Sequence, residues 1–340
     1  MRTPTVCREY LDNLLEYLYA QGATPRQLQG LMRLDPQDHI SEQGRFPLRL
    51  FEMLLDAGSQ LLNDYYLGAH AGAHCSSQPW GMVNYLGMSA SSNREAVSAV
   101  VNYSRLLIDH GDVELSEEVN DQRAARLTWV LPPRQLPSRQ VIEFFFSNWY
   151  RVNKPLLDRW CSKREIHFTH DGPADSGEIE RIIEAPVHYG SHCNAVEFDR
   201  HFLDRPTKFP HSGIHKSLEQ AAQAELSNLQ FEDRIIRDVK ECIMNQLASG
   251  VPKLEEVAAN LRLTPRTLQR RLNNTNTNFK YMVDDARKER SIRLISDSAL
   301  GLPDISAELG FSDQSAFQKA FKRWYGQAPG RYRLMLQTVN

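Results

Sequence analysis

The chain has 340 residues, of which 41% are apolar and 24% are charged, with a formal net charge of −2. This length favours two domains, and the apolar content is enough for real cores. The net charge alone gives no indication of nucleic acid, but its distribution does. Residues 251–340 hold 15 Lys and Arg against 9 Asp and Glu, a net of +6, which leaves −8 for residues 1–250. A basic C-terminal part attached to an acidic one fits phosphate binding confined to the C-terminus.

The cysteines and the N-terminus indicate the compartment. Five cysteines are dispersed without a Cys-x-x-Cys pair, which is typical of reduced thiols. The N-terminal sequence MRTPTVCREYLDNLL meets acidic residues too early for a signal peptide. No apolar run approaches the ~18 residues that a membrane helix needs. We therefore expect a soluble, cytoplasmic protein without a membrane partner.

The first 205 residues mix predicted helices with predicted strands. Apolar residues at helical spacing predict helices at 6–17, 24–32, 47–62, 92–107 and 141–157. Short strands are predicted at 113–119, 125–131, 166–169, 187–189 and 195–198. This mixture predicts one α+β domain. A linker is expected at 206–213, followed by a helix at 214–229 and another at 231–247.

An aromatic run in the last of the predicted N-terminal helices has two interpretations. Phe144–Phe146, Trp149 and Tyr150 lie within one turn or two of each other, so their side chains point all round the helix. Several must pack in the core, and others are free to line a pocket for a small molecule. The candidates for such a pocket are Trp80, Phe145 and Trp149.

Some histidines and cysteines lie at spacings that could bind a metal ion. Two His-His-Cys groups, at 70–75 and 188–193, have an i, i+4 spacing that could hold zinc on a helix. The second group falls in a predicted strand and turn, where that spacing does not converge, and neither has an acidic neighbour. We expect no metal and no cofactor.

Two C-terminal segments share a pattern. LEEVAANLRLTPRTLQRRLN (254–273) aligns with LPDISAELGFSDQSAFQKAF (302–321), each position 48 residues after its counterpart. Such a repeat indicates one supersecondary unit used twice. Each copy is typical of a helix, a sharp turn and a second helix. Thr264 and Ser312 are the predicted N-caps of the second helices.

The predicted turns differ between the copies, and a long helix separates them. Gly310 suits a left-handed turn residue, whereas Arg262 at the equivalent position weakens the first turn. Between the copies, Phe279–Asp297 fits a helix capped by Asn278, about 28 Å long. One turn of DNA is roughly 34 Å, so this helix could set the two units one turn apart.

TPRQLQ (24–29) echoes TPRTLQ (264–269). An N-cap followed by proline at the first helical position explains the echo locally. No matching helix and turn is predicted before it, so we do not predict a third DNA-binding unit.

The C-terminal pattern resembles a known family. DISAELGFSDQSAFQKAFKRWYGQAPGRYR (304–333) is similar to the signature of the AraC/XylS family of bacterial transcription regulators. QPWGMVNYLGMSASSNREAV (78–97) and APVHYGSHCNAVEFDRHFLDRP (185–206) resemble the arabinose-binding-type N-terminal domain of a subset that includes ornithine-utilisation regulators. The domain's label does not imply that arabinose is the ligand.

The resemblance implies an architecture. We expect an α+β effector-binding and dimerisation domain at 1–206, a linker and connecting helix at 207–231, and an all-α DNA-binding domain at 232–340. The latter would hold two helix-turn-helix units, at about 254–273 and 302–321, joined by a long helix and entering successive major grooves.

The expected DNA contacts follow from that arrangement. Side chains just after each N-cap face the groove, and basic residues near the helix end meet phosphates. The expected set is Thr264, Arg266, Thr267, Gln269, Arg270, Ser312, Gln314, Ser315, Gln318, Lys319, Lys322 and Arg323, with Arg331 and Arg333 as further phosphate contacts.

The expected function is that of a transcription regulator, such as an activator, that responds to a small-molecule effector. Its expected partners are double-stranded DNA, RNA polymerase, the effector and a second copy of the chain. The alternative is a regulator without a small-molecule ligand, controlled through protein partners. An enzyme is not expected, because no nucleophile elbow, P-loop, dinucleotide or metalloprotease motif occurs. The Pro-Cys-His-Arg nucleophile of Ada-type DNA-repair methyltransferases, which share an AraC-like module, is also absent.

Overall fold

The computed structural model describes residues 4–41, 44–74, 81–119, 124–133, 135–161, 164–173, 177–247, 250–275, 277–296 and 300–338. The chain divides into two compact units, Thr3–Asn228 and Leu229–Asn340, which we call the N-terminal unit and the C-terminal unit. Helices and strands are mixed in the first, and the second is helical in its described residues. The coarse expectation of an α+β part followed by an all-helical part is confirmed.

The N-terminal unit contains eight α-helices, two short 3-10 helices (Pro36–His39 and Arg200–Asp204) and seven strands in its described residues, besides the start of a ninth α-helix. The helices are α1 (Arg8–Ala20), α2 (Pro25–Met32), α3 (Leu48–Leu62), α4 (Leu67–Ala73), α5 (Gly81–Ser89), α6 (Asn93–Leu107), α7 (Arg139–Trp160) and α8 (Gly177–Ile183). The strands are β1 (Thr5–Cys7), β2 (Arg45–Pro47), β3 (Asp112–Val119), β4 (Ala124–Val130), β5 (Arg164–His167), β6 (Val187–His188) and β7 (Asn194–Asp199).

Five of the strands form one sheet in the order β3-β4-β7-β5-β6. The pairs are antiparallel except β5 with β6, which are parallel. Each predicted strand lies within two residues of one of these five. The small sheet in which Val6 of β1 pairs with Phe46 of β2 is absent from the sequence-based prediction. Strands of three residues are too short to show an alternating pattern.

Helix α7 is central to the core of the N-terminal unit. Phe144 is fully buried and meets Phe51 of α3 edge to face, with ring centroids 5.2 Å apart. On another side, α4 packs on the backbone of α7. A Cβ added to Gly68 or Gly72 would overlap a carbonyl oxygen of α7, so only glycine allows this approach.

A carboxylate is buried in the same helix. Glu143 has no exposed surface, and its Oε1 accepts a hydrogen bond from Arg139 at 3.1 Å. Nε2 of His170 lies 3.7 Å from the same oxygen, while Oε2 has no hydrogen-bond partner among the described residues. Burial raises the pKa of the Glu143 carboxyl to about 7, and Arg139 only partly opposes this.

The C-terminal unit begins inside helix α9 (Ser212–Leu247), whose first part belongs to the N-terminal unit. The structure shows one continuous helix of 36 residues where a linker at 206–213 and two separate helices were predicted. The prediction of two separate helices is wrong, whereas the predicted linker differs from the structure only at its end. The helix starts at Ser212, and no break occurs near residue 230, because no glycine or proline interrupts the segment there.

Six further helices follow in the described residues of this unit, and apolar side chains from them form two of its cores. The helices are α10 (Leu254–Asn260), α11 (Pro265–Asn274), α12 (Phe279–Ser296), α13 (Leu302–Glu308), α14 (Gln314–Tyr325) and α15 (Pro329–Thr338). The first core joins α9, α10, α11 and the start of α12, and the second joins the end of α12 with α13 and α14. No helix among the described residues of the chain is long and apolar enough to cross a bilayer.

The buried carboxyl of Glu143 predicts a pH-dependent effect on stability. The group ionises near 4.5 in an unfolded chain but near 7 in the folded protein, so the unfolded state releases its proton first as the pH rises. The free energy of unfolding therefore falls between about pH 4.5 and 7. Glu143→Gln should match the unsubstituted protein near pH 4.5 and exceed its stability at pH 8 by up to about 3 kcal/mol.

Urea unfolding at several pH values measures this difference. Glu114→Gln, at an exposed position of β3, is the matched control and should change stability little at any pH. A Glu143→Gln advantage that is the same at pH 5 and pH 8 would contradict the assignment.

Candidate nucleic-acid interface and ligand pocket

The two copies of the C-terminal repeat fold into the same local structure. In the first, the turn between α10 and α11 is closed by Leu263 N donating to the Ala258 carbonyl at 2.8 Å. In the second, Phe311 N donates to the Ser306 carbonyl at 3.0 Å, between α13 and α14. Donors and acceptors are both 48 residues apart, so the sequence repeat is also a structural repeat.

The turn residue is left-handed in both copies. Gly310 has φ 67° and Arg262 has φ 55°, so the first copy places a side chain where glycine is preferred. The second turn is also more crowded, because a Cβ on Gly310 would lie 2.9 Å from the carbonyl oxygen of Gly250. Only the second turn therefore requires glycine for its packing as well as its conformation.

The N-caps of α11 and α14 differ. Thr264 caps α11 as predicted, accepting a hydrogen bond from Thr267 N at 3.2 Å. The prediction of Ser312 as the N-cap of α14 is wrong, because Asp313 takes that position and accepts from Ala316 N at 2.8 Å. Pro265 at the first helical position fixes the cap at Thr264. Position 313 has no such restraint, and a carboxylate is a strong cap.

The side chains expected to contact DNA lie on the outer surfaces of α11 and α14 and just beyond their N-termini. Leu268, Leu272, Phe317 and Phe321 have no exposed surface and face the two cores. Of the twelve expected residues, Thr267 and Gln314 are half-buried. The exposed ones are Thr264, Arg266, Gln269, Arg270, Ser312, Ser315, Gln318, Lys319, Lys322 and Arg323.

Two of the expected phosphate contacts already have partners within the chain. Arg323 donates to both carboxylate oxygens of Asp284 on α12, at 2.7 and 2.8 Å. Trp324 Nε1 donates to the same carboxylate at 2.9 Å. Arg333 Nε donates to the Ile295 carbonyl at 3.1 Å. These side chains hold α14 and α15 against α12, whereas Lys322 next to Arg323 has no such contact described.

Sequence reasoning missed the arginines of α12 that position the second copy. Arg287 Nε donates to the Leu309 carbonyl at 2.8 Å, and its Nη2 donates to that of Gly310. Arg290 donates to Glu308 at 2.6 Å and to the Met244 carbonyl of α9 at 3.3 Å. The partners are 18 or more residues away, so no local pattern could have indicated them.

The similarity of TPRQLQ (24–29) to TPRTLQ (264–269) includes the turn that precedes each segment. A helix and a turn do precede TPRQLQ (24–29), contrary to the prediction: α1 ends at Ala20, and Ala23 N donates to the Leu18 carbonyl at 2.9 Å. The surface of α1 nevertheless carries exposed carboxylates such as Asp12 and Glu16, which repel phosphate. Local likeness to α11 therefore gives no reason to expect DNA binding here.

A pocket lies between the five-stranded sheet and helices α1, α6 and α7 of the N-terminal unit. Its volume is about 590 Å³, counting the part open to solvent. Phe145 and Trp149, two of the three predicted pocket residues, line it one helical turn apart on α7. The third, Trp80, lies outside the described residues. The flanking Phe144 packs in the core instead. One face of the aromatic run therefore packs in the core, and another lines the pocket.

One cluster of potential metal ligands occurs among the described residues. A ligand atom from each of Glu165, His167 and His188 lies within 4.8 Å of the others, on neighbouring strands β5 and β6. The two imidazole rings stack at 20°, so their nitrogen lone pairs do not point to a common position. His188 is also 3.1 Å from the Glu165 carboxylate. Of the two His-His-Cys groups in the sequence, the second shares His188 with this cluster. Cys75 of the first group lies outside the described residues.

Comparison with known proteins agrees with the repeated helices and with the N-terminal unit. Residues 22–207, more than half of the chain, match the family described as "Arabinose-binding domain of AraC transcription regulator, N-term". Residues 257–335 match a family described as "Helix-turn-helix domain". These features define a DNA-binding transcription regulator. The chain belongs to the AraC transcription regulators with an arabinose-binding-type N-terminal domain, as its sequence predicted.

Individual transcription regulators are also similar to this chain. The chain is 23% identical over 324 residues to the ornithine utilization regulator of Pseudomonas aeruginosa, covering 95% of each. It is 30% identical over 161 residues to the transcriptional regulator VqsM of the same species, covering 47% of this chain and 50% of VqsM. The crystal structure of the transcriptional regulator CdpR, also from P. aeruginosa, aligns over 96% of this chain and 98% of that one, with 23% identity and a TM-score of 0.47.

The two glycine environments of α13 and α14 generate a stability prediction. Gly326 after α14 has φ 75° and no atom within 4 Å of an added Cβ, so Gly326→Ala should cost only the left-handed strain, about 1 kcal/mol. Gly310→Ala adds the clash with the Gly250 carbonyl and should cost about 2–3 kcal/mol.

Hydrogen–deuterium exchange of the α13 and α14 amides in the full chain reads out this local loss. Exchange should rise more in Gly310→Ala than in Gly326→Ala. Equal effects of the two substitutions would show that the Gly250 contact is unimportant.

Proposed function

We propose that the C-terminal unit binds double-stranded DNA sequence-specifically through two helix-turn-helix units joined by α12. Helices α11 and α14 would enter successive major grooves on one face of the DNA. The structural repeat supports this proposal most directly, since equal turns present the outer surfaces of equivalent helices. The net charge of +6 over residues 251–340 supports it from electrostatics.

Individual side chains would divide between base and phosphate contacts. Arg266 and Gln314 hold equivalent positions at the starts of α11 and α14, where a helix in the major groove meets base edges. Arginine can bind guanine bidentately, and glutamine can do the same for adenine. Lys322, at the exposed end of α14, would contact a phosphate. Thr264 has its hydroxyl engaged in the cap, so its part is to shape the helix start.

The N-terminal unit would sense a small molecule. The pocket beside Phe145 and Trp149 supports this over control by protein partners alone, because its concave, apolar walls are typical of a small-molecule site. Helix α6 forms one wall of that pocket, and its Glu95 carboxylate lies 3.3 Å from His215 at the start of α9. Since α9 continues into the C-terminal unit, a ligand that favours one position of α6 could change how that unit is presented.

Regulation would also involve other macromolecules. We expect a second copy of the chain, held through the N-terminal unit, and RNA polymerase at the promoter. Two copies would double the number of helix-turn-helix units on the DNA and lengthen the operator accordingly. The ligand-dependent step would then be a choice between two arrangements of the same DNA-binding units.

Base readout by the two units is testable with paired substitutions. Arg266→Ala and Gln314→Ala should each weaken binding to the specific site by ~1–3 kcal/mol. Non-specific affinity should change less, particularly for Gln314, which carries no charge. Binding of both variants to a panel of operator variants should show lost discrimination at positions about one helical turn apart, ~10 base pairs.

Gln327→Ala is the matched control, since this half-buried glutamine lies beyond α14 and outside its outer surface. It should leave discrimination unchanged. If both test variants relax the same base pairs, the two units do not occupy successive grooves, and the proposed arrangement fails.

The pairing of Arg323 predicts different salt effects for neighbouring cations. Lys322→Gln should weaken binding to all sequences about equally and reduce the slope of log K against log salt by ~1. Arg323→Gln should reduce the slope less, because Asp284 already neutralises much of its charge. Asp284→Asn should instead raise non-specific affinity, since it removes a carboxylate that competes with phosphate.

Titrations of DNA at several salt concentrations measure these slopes. Equal reductions for Lys322→Gln and Arg323→Gln would show that Arg323 leaves Asp284 for the DNA backbone. An unchanged slope for Lys322→Gln would remove it from the interface.

A further inference from the structure

We propose that the pocket of the N-terminal unit binds an uncharged, largely apolar small molecule, neither a sugar nor an amino acid. The inference rests on the proposed sensing function and assigns its ligand class from the pocket walls. Five aromatic side chains contribute, from Tyr10, Trp129, Phe145, Phe146 and Trp149. Six more lining residues, on α6 and on strands β3, β4 and β7 or beside them, are aliphatic.

Polar groups are few on these walls. Among the described residues no charged side chain lines the pocket, and only Tyr10, Ser104 and Thr128 bring hydroxyls. The indole N–H of Trp129 is already used, since it donates to the His110 carbonyl at 2.8 Å. A ligand therefore finds apolar surface nearly everywhere and at most a few places to form a hydrogen bond.

These walls discriminate against polar ligands. Each hydroxyl of a sugar that loses its water without a new partner costs about 1–3 kcal/mol, and a pentose has more hydroxyls than the pocket can satisfy. The ammonium groups and carboxylate of ornithine would enter without opposite charges, which costs more still. The pocket thus disfavours both the sugar in the family's description and the amino acid in the relative's name.

Apolar ligands gain from the same walls. Burial of apolar surface contributes about 25 cal/mol per Å², and the edge-to-face arrangement of the rings leaves aromatic faces and edges for contact. Phe145 lies at the centre of this group of rings. Its ring centroid is 5.6 Å from that of Trp129 and 4.7 Å from that of Tyr10. An aromatic ring and an alkyl chain share this chemistry, so the experiment separates the two.

The experiment is calorimetric titration of the full chain with four probes: indole, 1-decanol, L-arabinose and L-ornithine. Val100→Trp fills the pocket from a half-buried wall position of α6, and Leu107→Trp is a second blocking variant should the first fail to fold. Asn102→Trp adds the same ring at an exposed position of α6 and is the matched control.

We expect indole or 1-decanol to bind the unsubstituted chain and Asn102→Trp alike, and at least tenfold more weakly once the pocket is blocked. Arabinose and ornithine should show no saturable binding. Binding of indole would indicate a ring-shaped ligand, and binding of 1-decanol would indicate a chain-shaped one.

Two results would overturn the inference and are distinguishable. Saturable binding of arabinose or ornithine that a blocking variant abolishes would refute the ligand class while leaving small-molecule sensing intact. Binding of none of the four would refute the pocket as an apolar site. Operator binding by the same preparations, measured without probe, tests the DNA-binding function separately from both.

Discussion

The C-terminal unit depends on one helix that is packed in two cores at once. Met282, Val283 and Ala286 bury the first half of α12 against α9, α10 and α11, and Ile295 buries its end against α13 and α14. Between these contacts, Arg287 donates to the carbonyls that end α13, and its guanidinium lies 4.5 Å from the ring centroid of Phe311. Because the last carbonyls of a helix lack internal partners, this single side chain fixes the second turn onto α12.

In the N-terminal unit, helix α7 is packed closely on one side and borders a pocket on another. One side of this helix meets the glycines of α4 so closely that no side chain separates the two backbones. Another side presents Phe145 and Trp149, spaced by four residues, to a space that the sheet does not fill. Close packing elsewhere makes the unfilled space notable, since cores otherwise leave few voids larger than water.

The parts of the chain before and after residue 250 differ in net charge. Residues 1–250 carry a net charge of −8, whereas residues 251–340 carry +6. Phosphate repels the first of these charges and attracts the second. Within the basic part, Asp284 withdraws Arg323 from the surface charge and Glu308 does the same to Arg290. In the part of the chain that the structure describes, Lys322 on α14 has no such carboxylate contact. A count of Lys and Arg therefore does not show which cations are already paired with carboxylates within the chain.

The sequence by itself determined the features that depend on a few consecutive residues. The repeat at 254–321, the cap at Thr264, the left-handed turn at Gly310 and the five strands follow from periodicity, caps and turn residues. The family follows from the resemblance of residues 304–333 to its signature. Tertiary structure decided the rest. Arg323 and Asp284 are 39 residues apart, and Phe145 and Tyr10 meet only through folding. Local patterns act within about one helical turn, whereas these contacts depend on which distant segments the cores bring together.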